Sequence, residues 1–168
     1  MKYSHLAIVV SGLLGTATAA LPQPVAGPPW PEQSYRVEWT EAHVPAEAAA
    51  GVRIAVPISL RNDGNRVWPV SQVFVSYHWF RDDRLIVWDG ERTVLPRDLR
   101  AGSRAELSAR VTTPPEPGSY VLKLTLVHEL VTWFEHRGAA MFIRPVSVRA
   151  PAQVSSCGNG STPCAAGQ

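Results

Sequence analysis

Tyr77-His78-Trp79-Phe80-Arg81-Asp82-Asp83-Arg84-Leu85-Ile86-Val87-Trp88-Asp89-Gly90 reads as two strands folded about an Asp-Asp turn. With Asp82-Asp83 at the centre of the hairpin, Tyr77 is expected across from Trp88, Trp79 from Ile86, His78 from Val87 and Ser76 from Asp89. Alternate residues of a strand point to opposite sides, so two faces follow. One carries Val73, Val75, Tyr77, Trp79, Ile86 and Trp88; its tryptophans are expected in the core, with sugar-stacking platforms as the alternative. The other carries Phe74, Ser76, His78, Phe80, Leu85, Val87 and Asp89, more apolar than a solvated sheet face requires. A one-residue slip would exchange the two faces.

The flanking sequence repeats this grammar. Val52, Ile54, Val56, Ile58 and Leu60 alternate with Arg53, Ala55, Pro57, Ser59 and Arg61, the period of a half-buried strand. Pro57 has no N–H to give to a ladder, so the strand lies at an edge there or carries a bulge. Asn62-Asp63-Gly64-Asn65 then turns the chain. Further strands are expected at 35–40, 72–80, 85–89, 104–111, 119–128 and 141–149, separated by turn chemistry such as Ala101-Gly102 and Pro114-Pro115-Glu116-Pro117-Gly118. The spacing predicts an all-β, immunoglobulin- or fibronectin-like sandwich of seven to eight antiparallel strands over residues 35–150. Tyr120, just after Pro117-Gly118, occupies the place of a tyrosine corner.

The ends differ in composition. Lys2, an apolar run from Leu6 to Leu14 and the small residues Ala17-Thr18-Ala19-Ala20 have the layout of a secretory signal peptide over 1–20, too short to span a bilayer. Cleavage after Ala19 or Ala20 would give a secreted or periplasmic protein with no transmembrane segment. Five prolines within 21–31 mark 21–34 as an extended linker. The tail, 151–168, is rich in Gly, Ser and Pro and holds the only cysteines, Cys157 and Cys164, which an oxidising compartment would let close as a local disulfide. Metal binding or an intermolecular bridge are the alternatives. The whole chain has 16 basic and 14 acidic residues with no long block of either sign, which gives no electrostatic case for nucleic acid.

Residues 35–149 resemble the immunoglobulin-like domain appended to bacterial glycosyltransferases and other cell-envelope or polysaccharide-related proteins. The motifs are Leu60-Arg61-Asn62-Asp63-Gly64 with Trp68-Pro69, Tyr77-His78-Trp79 with Trp88-Asp89-Gly90-Glu91-Arg92-Thr93 and Leu95-Pro96-Arg97-Asp98, and Pro117-Gly118-Ser119-Tyr120 through Trp133-Phe134 to Arg137-Gly138. More distantly the chain is similar to the four-tryptophan immunoglobulin-like domain of autophagy receptors. The resemblance implies an accessory or binding module rather than an enzyme.

The residues themselves offer little catalytic chemistry. No serine sits in a nucleophile elbow, no glycine-rich phosphate loop is present, and adjacent His128 and Glu129 on a strand point to opposite faces, so no cofactor or metal is expected. If strand 119–128 pairs beside 72–80 with Tyr120, Leu122, Leu124 and Leu126 inward, then Val121, Lys123, Thr125 and Val127 extend the apolar outer face. The candidate binding residues are therefore Phe74, His78, Phe80, Val87, Asp89, Arg92, Lys123 and Val127. Coverage of this face by the N-terminal segment or by another loop is the competing expectation. Asp89, Arg92, Arg97 and Asp98 are expected to form an ion pair that pins a loop, or else a polar rim. The function expected is a non-enzymatic binding module for a glycan or an envelope protein, or a small scaffold subunit of an exported complex.

Overall fold

A computed structural model describes residues 27–151. The expected signal peptide, residues 21–26 of the expected linker and the Cys157 and Cys164 tail lie outside the described residues. Ten strands follow in chain order: β1 (Val37–Ala42), β2 (Glu47–Ala49), β3 (Arg53–Asn62), β4 (Val73–Arg81), β5 (Arg84–Val87), β6 (Thr93–Val94), β7 (Arg104–Thr112), β8 (Gly118–His128), β9 (Thr132–Trp133) and β10 (Phe142–Arg149). They form two sheets, one ordered β1-β3-β7 and the other β2-β10-β8-β4-β5, with β6 added to β4 and β9 to β8. All pairs are antiparallel except the short β2 beside β10. The all-β sandwich and all seven longer strands are as the sequence implies; β2, β6 and β9 carry too few residues to show a period.

The core forms where the period-two faces meet. Val56, Ile58 and Leu60 of β3 and Ala105, Ala109 and Val111 of β7 face Val73, Val75, Tyr77 and Trp79 of β4 and Tyr120, Leu122, Leu124 and Leu126 of β8, and all are buried. Polar tips of the core aromatics are satisfied across the gap. Thr112 of β7 accepts from Trp79 Nε1 at its carbonyl (2.9 Å) and donates its N–H to Tyr77 Oη (2.9 Å). Tyr120 Oη donates to the Glu116 carbonyl at 3.0 Å, completing the tyrosine corner. The Pro57 carbonyl accepts from His43 N–H at 2.9 Å, just past the Ala42–Ile58 pair that ends the β1 ladder. Its missing N–H thus faces the side where β1 has run out. Among the described residues no helix is long and apolar enough to cross a membrane.

The linker boundary moves. Residues 32–35 make a 3-10 turn in which Ser34 and Tyr35 are buried, and Trp30 packs against the core. Trp68 Nε1 donates to the Ser34 carbonyl at 2.8 Å, and Gly64 lies so close to that carbonyl that a Cβ would sit 2.6 Å away. Proline content sets an extended path but does not stop Trp30 and Tyr35 from burying their rings at the end of the sandwich. Tyr35 Oη accepts from Trp30 N–H at 2.9 Å and lies 3.2 Å from His128 Nδ1.

The hairpin register also departs from expectation. Asp82 and Asp83 both have positive φ, 49° and 58°, as a two-residue hairpin turn of the primed type requires. Arg81 pairs with Arg84 and Phe80 with Leu85, but then Trp79 pairs with Val87. Ile86 is the extra residue of a β-bulge, which shifts everything after it by one. Val87, expected on the outer face, packs toward the core; Ile86 and Trp88, expected in the core, are exposed. Trp79 and Tyr77 stay inside. Gly90 ends the segment with its N–H on the Tyr77 carbonyl, at a place where a Cβ would lie 2.5 Å from that oxygen.

Candidate functional site

The outer face of the larger sheet has a covered half and an open half. In the covered half β9 extends the sheet beside β8, and its Trp133 ring and Glu135 of the 3-10 turn Glu135–Arg137 close over β8 and β4. His78 is 1% exposed beneath them, and Ser76, Thr125 and Val127 are buried with it. His78 Nδ1 contacts the Trp88 carbonyl, and Nε2 lies 2.9 Å from Glu135 Oε1. A carbonyl can only accept, so Nδ1 carries a proton. The second Glu135 oxygen accepts from Thr125 Oγ1 at 2.5 Å. Burial alone would raise the Glu135 carboxyl, but the bonds from His78, Thr125 and its own backbone N–H, with the His78 charge, hold it below the usual carboxylate range. Both ring nitrogens of His78 therefore meet oxygens, the Trp88 carbonyl on one side and the Glu135 carboxylate on the other, inside the sheet face.

Aromatic rings surround this pair. The Trp88 indole, 39% exposed, stacks on His78 with centroids 4.3 Å apart and planes 7° from parallel. His136 stacks on Trp88 at 5.5 Å, and Trp133 meets Trp88 edge-on at 5.3 Å. Arg92 lies over Trp133 with its guanidinium 5.0 Å from the ring centroid. Its Nε donates to Glu129 at 2.7 Å, and its Nη1 donates to Asp89 and to the Gly90 carbonyl. The loop pin is therefore Arg92 with Asp89 and Glu129. Arg97 and Asp98 do not join it: Asp98 accepts from Val70 N–H at 2.9 Å and Arg97 donates to the Arg104 carbonyl at 2.9 Å.

In the open half, residues from four strands line up in register. Pro145 of β10 pairs with Val121 of β8, Val121 with Phe80 of β4, and Phe80 with Leu85 of β5. The adjacent row runs Ile143, Lys123 and His78, with Trp88 on the His78 ring. Four strands at their usual spacing make this strip about 14 Å wide. Leu85 is 47% and Ile143 50% exposed, while Phe80 and Val121 are half-buried. The one Lys or Arg in the two rows is Lys123, whose Nζ lies over the Phe80 ring at 3.9 Å. Its ammonium keeps contact with an aromatic face rather than with an acid.

Of the sequence-derived candidates, Phe80 and Lys123 are together on the open half. Phe74 is half-buried beside Val94 and Val127, Val127 is buried between Phe74 of β4 and Trp133 of β9, and Asp89 and Arg92 belong to the loop pin. Val87 is on the other side of the sheet. Sequence reasoning missed Glu135, because a carboxylate in a 3-10 turn shows no pattern that points it at a strand ten residues back. It also missed Pro145 and Ile143, whose strand was recognised but not its register. His128 and Glu129 face opposite sides as expected: His128 enters the end of the core under Trp30, and Glu129 meets Arg92. Among the described residues no three His, Cys, Asp or Glu side chains are grouped to hold a metal.

No family model and no curated protein matches the chain. Among solved structures it is similar to a β-glucosidase from Listeria innocua, with TM-score 0.42, 12% identity and coverage of 67% of this chain and 16% of that one. It is also similar to the CARDB domain of a Pyrococcus furiosus protein, with TM-score 0.40, 18% identity and coverage of 69% and 93%. A family 123 glycoside hydrolase from Clostridium perfringens gives TM-score 0.37 at 12% identity, over 62% of this chain and 22% of that one. The chain thus spans about one sixth of the length of the β-glucosidase.

Proposed function

We propose that this chain is a non-catalytic binding module of an exported protein, and that it docks a protein of the cell envelope through the open half of its larger sheet. The carrying observation is the in-register row Pro145, Val121, Phe80 and Leu85, continued by Ile143 and Trp88. A face meant for water would alternate polar residues along these positions, whereas a continuous apolar strip with a single cation suits a protein surface. Export rests on the signal-peptide layout of residues 1–20. A small subunit of an exported complex would use the same face.

A second reading, a glycan-binding module, is favoured by one feature: the partly exposed Trp88 ring stands among His136, Asp89 and Arg92, an aromatic surface flanked by hydrogen-bonding groups. The two readings separate by mutation. The double variant Phe80→Ser/Leu85→Ser should stay folded and lose capture of an envelope protein, with binding to a glycan panel unaffected. Selective loss of glycan binding in Trp88→Ala, with protein capture retained, would support the second reading.

A further inference from the structure

A separate cleft of about 440 Å³ opens where β8 turns into β9, between the entering chain at Gly27 and Pro28 and the turn Glu129–Val131. Trp30 lines it, tilted by 32° against the buried imidazole of His128 with centroids 3.9 Å apart. Arg66 lies with its guanidinium 5.3 Å from the Trp30 ring centroid, and Ser71 and Gln72 add polar groups. The volume falls in the range of small-molecule sites.

Two independent observations give the cleft a ligand class. The first is Leu130. It has φ +60° and is the third residue of a turn closed by Val131 N–H on the His128 carbonyl, a position that ordinarily takes Gly or Asn. It is also 57% exposed. A leucine there strains the backbone and shows an apolar side chain to water without adding to the core. The second is charge. Glu129, the one acid lining the cleft, is held by Arg92 at 2.7 Å, so Arg66 faces the opening with no carboxylate opposite it among the described residues. Burial, with the Arg66 charge second, keeps the His128 imidazole below its usual range and thus neutral, leaving one cation beside apolar walls.

We infer that this cleft binds a small amphipathic carboxylate, its carboxylate on the Arg66 guanidinium and its apolar body between Trp30 and Leu130. A guanidinium fork matches a carboxylate, and Ser71 and Gln72 are placed to hydrogen-bond the same head group. The site is distinct from the Phe80 and Leu85 strip and does not depend on it.

Nuclear magnetic resonance of the full chain, titrated with phenylacetate and with its neutral match phenylacetamide, tests the inference. Phenylacetate should move the amide signals of Gln72, Glu129, Leu130 and Val131 saturably, and the amide should bind about ten-fold more weakly, the loss of one charge-assisted contact. Arg66→Gln should abolish the preference for the acid. Leu130→Gly should weaken both ligands while the melting temperature stays level or rises, because glycine relieves the positive φ. No saturable shift, equal binding of acid and amide by the natural chain, or undiminished binding by Leu130→Gly would each overturn it. Should Leu130→Gly fail to fold, Arg66→Gln, a change at an exposed side chain, still decides.

Discussion

His78 Nε2 and Glu135 Oε1 meet at 2.9 Å, and this contact ties the segment after β9 to the outer face of the sheet. Thr125 holds the other carboxylate oxygen, so the covered half of the face is closed by polar bonds beneath aromatic rings. The open half, one row away, has no such cover. Division of one sheet face into a sealed and an open part is what leaves Phe80, Leu85 and Ile143 available to a partner.

Glu135→Gln should lower stability at neutral pH by about 1–3 kcal/mol, because the buried His78 ring and Thr125 hydroxyl lose their carboxylate partner. The sign of the pH dependence follows from the depressed Glu135 carboxyl. Its stabilisation is full above the unfolded value of about 4.3 and is lost as pH falls through the lower folded value. Urea unfolding at pH 7 and at pH 3 should therefore show a smaller acid loss in the variant than in the natural chain. Equal neutral-pH stability would mean that the pair is not formed.

His128 gives a second, milder window. Its imidazole is held below the ordinary value by burial and then by Arg66, so the unfolded chain takes up the proton first. Stability from neutral His128 is present above about pH 6.5 and declines as pH drops through the folded value. Thermal melts of His128→Gln between pH 7 and pH 5 should show a flatter profile than the natural chain. A steeper profile would contradict the neutral assignment.

Trp79→Ala should destabilise by roughly 3–5 kcal/mol, the cost of emptying a buried aromatic site. Trp88→Ala should cost only about 1 kcal/mol, the scale of a surface ring stack. Comparable losses in the two variants would restore the unbulged register.

Ile86→Lys should be neutral within about 0.5 kcal/mol, since the bulge holds Ile86 outside. A severe loss in a denaturant titration would place Ile86 beside Trp79 after all.

The fold was largely legible because alternation in β3, β4 and β8 fixes which side chains face inward, and those strands carry most of the buried surface. The candidate site was half legible for the same reason. Phe80, Leu85, Val121 and Lys123 follow from alternation alone. Val87 and Trp88 do not, because a single bulged residue inverts alternation and Ile86 has nothing in its side chain to announce a bulge. Glu135 depends on a tertiary fold-back, and Trp30 on burial that proline content obscures. The Asp82-Asp83 turn itself was readable, since aspartate is among the residues that accept positive φ.

Site-specific photo-crosslinking in cells tests the docking face most directly. A photoreactive residue placed at Leu85 or at Ile143 should yield a discrete adduct with one envelope protein, while the same residue at Ser108, exposed on the smaller sheet, should yield none. Adducts of equal strength from Ser108, or none from Leu85 and Ile143, would contradict docking through the open half of the larger sheet.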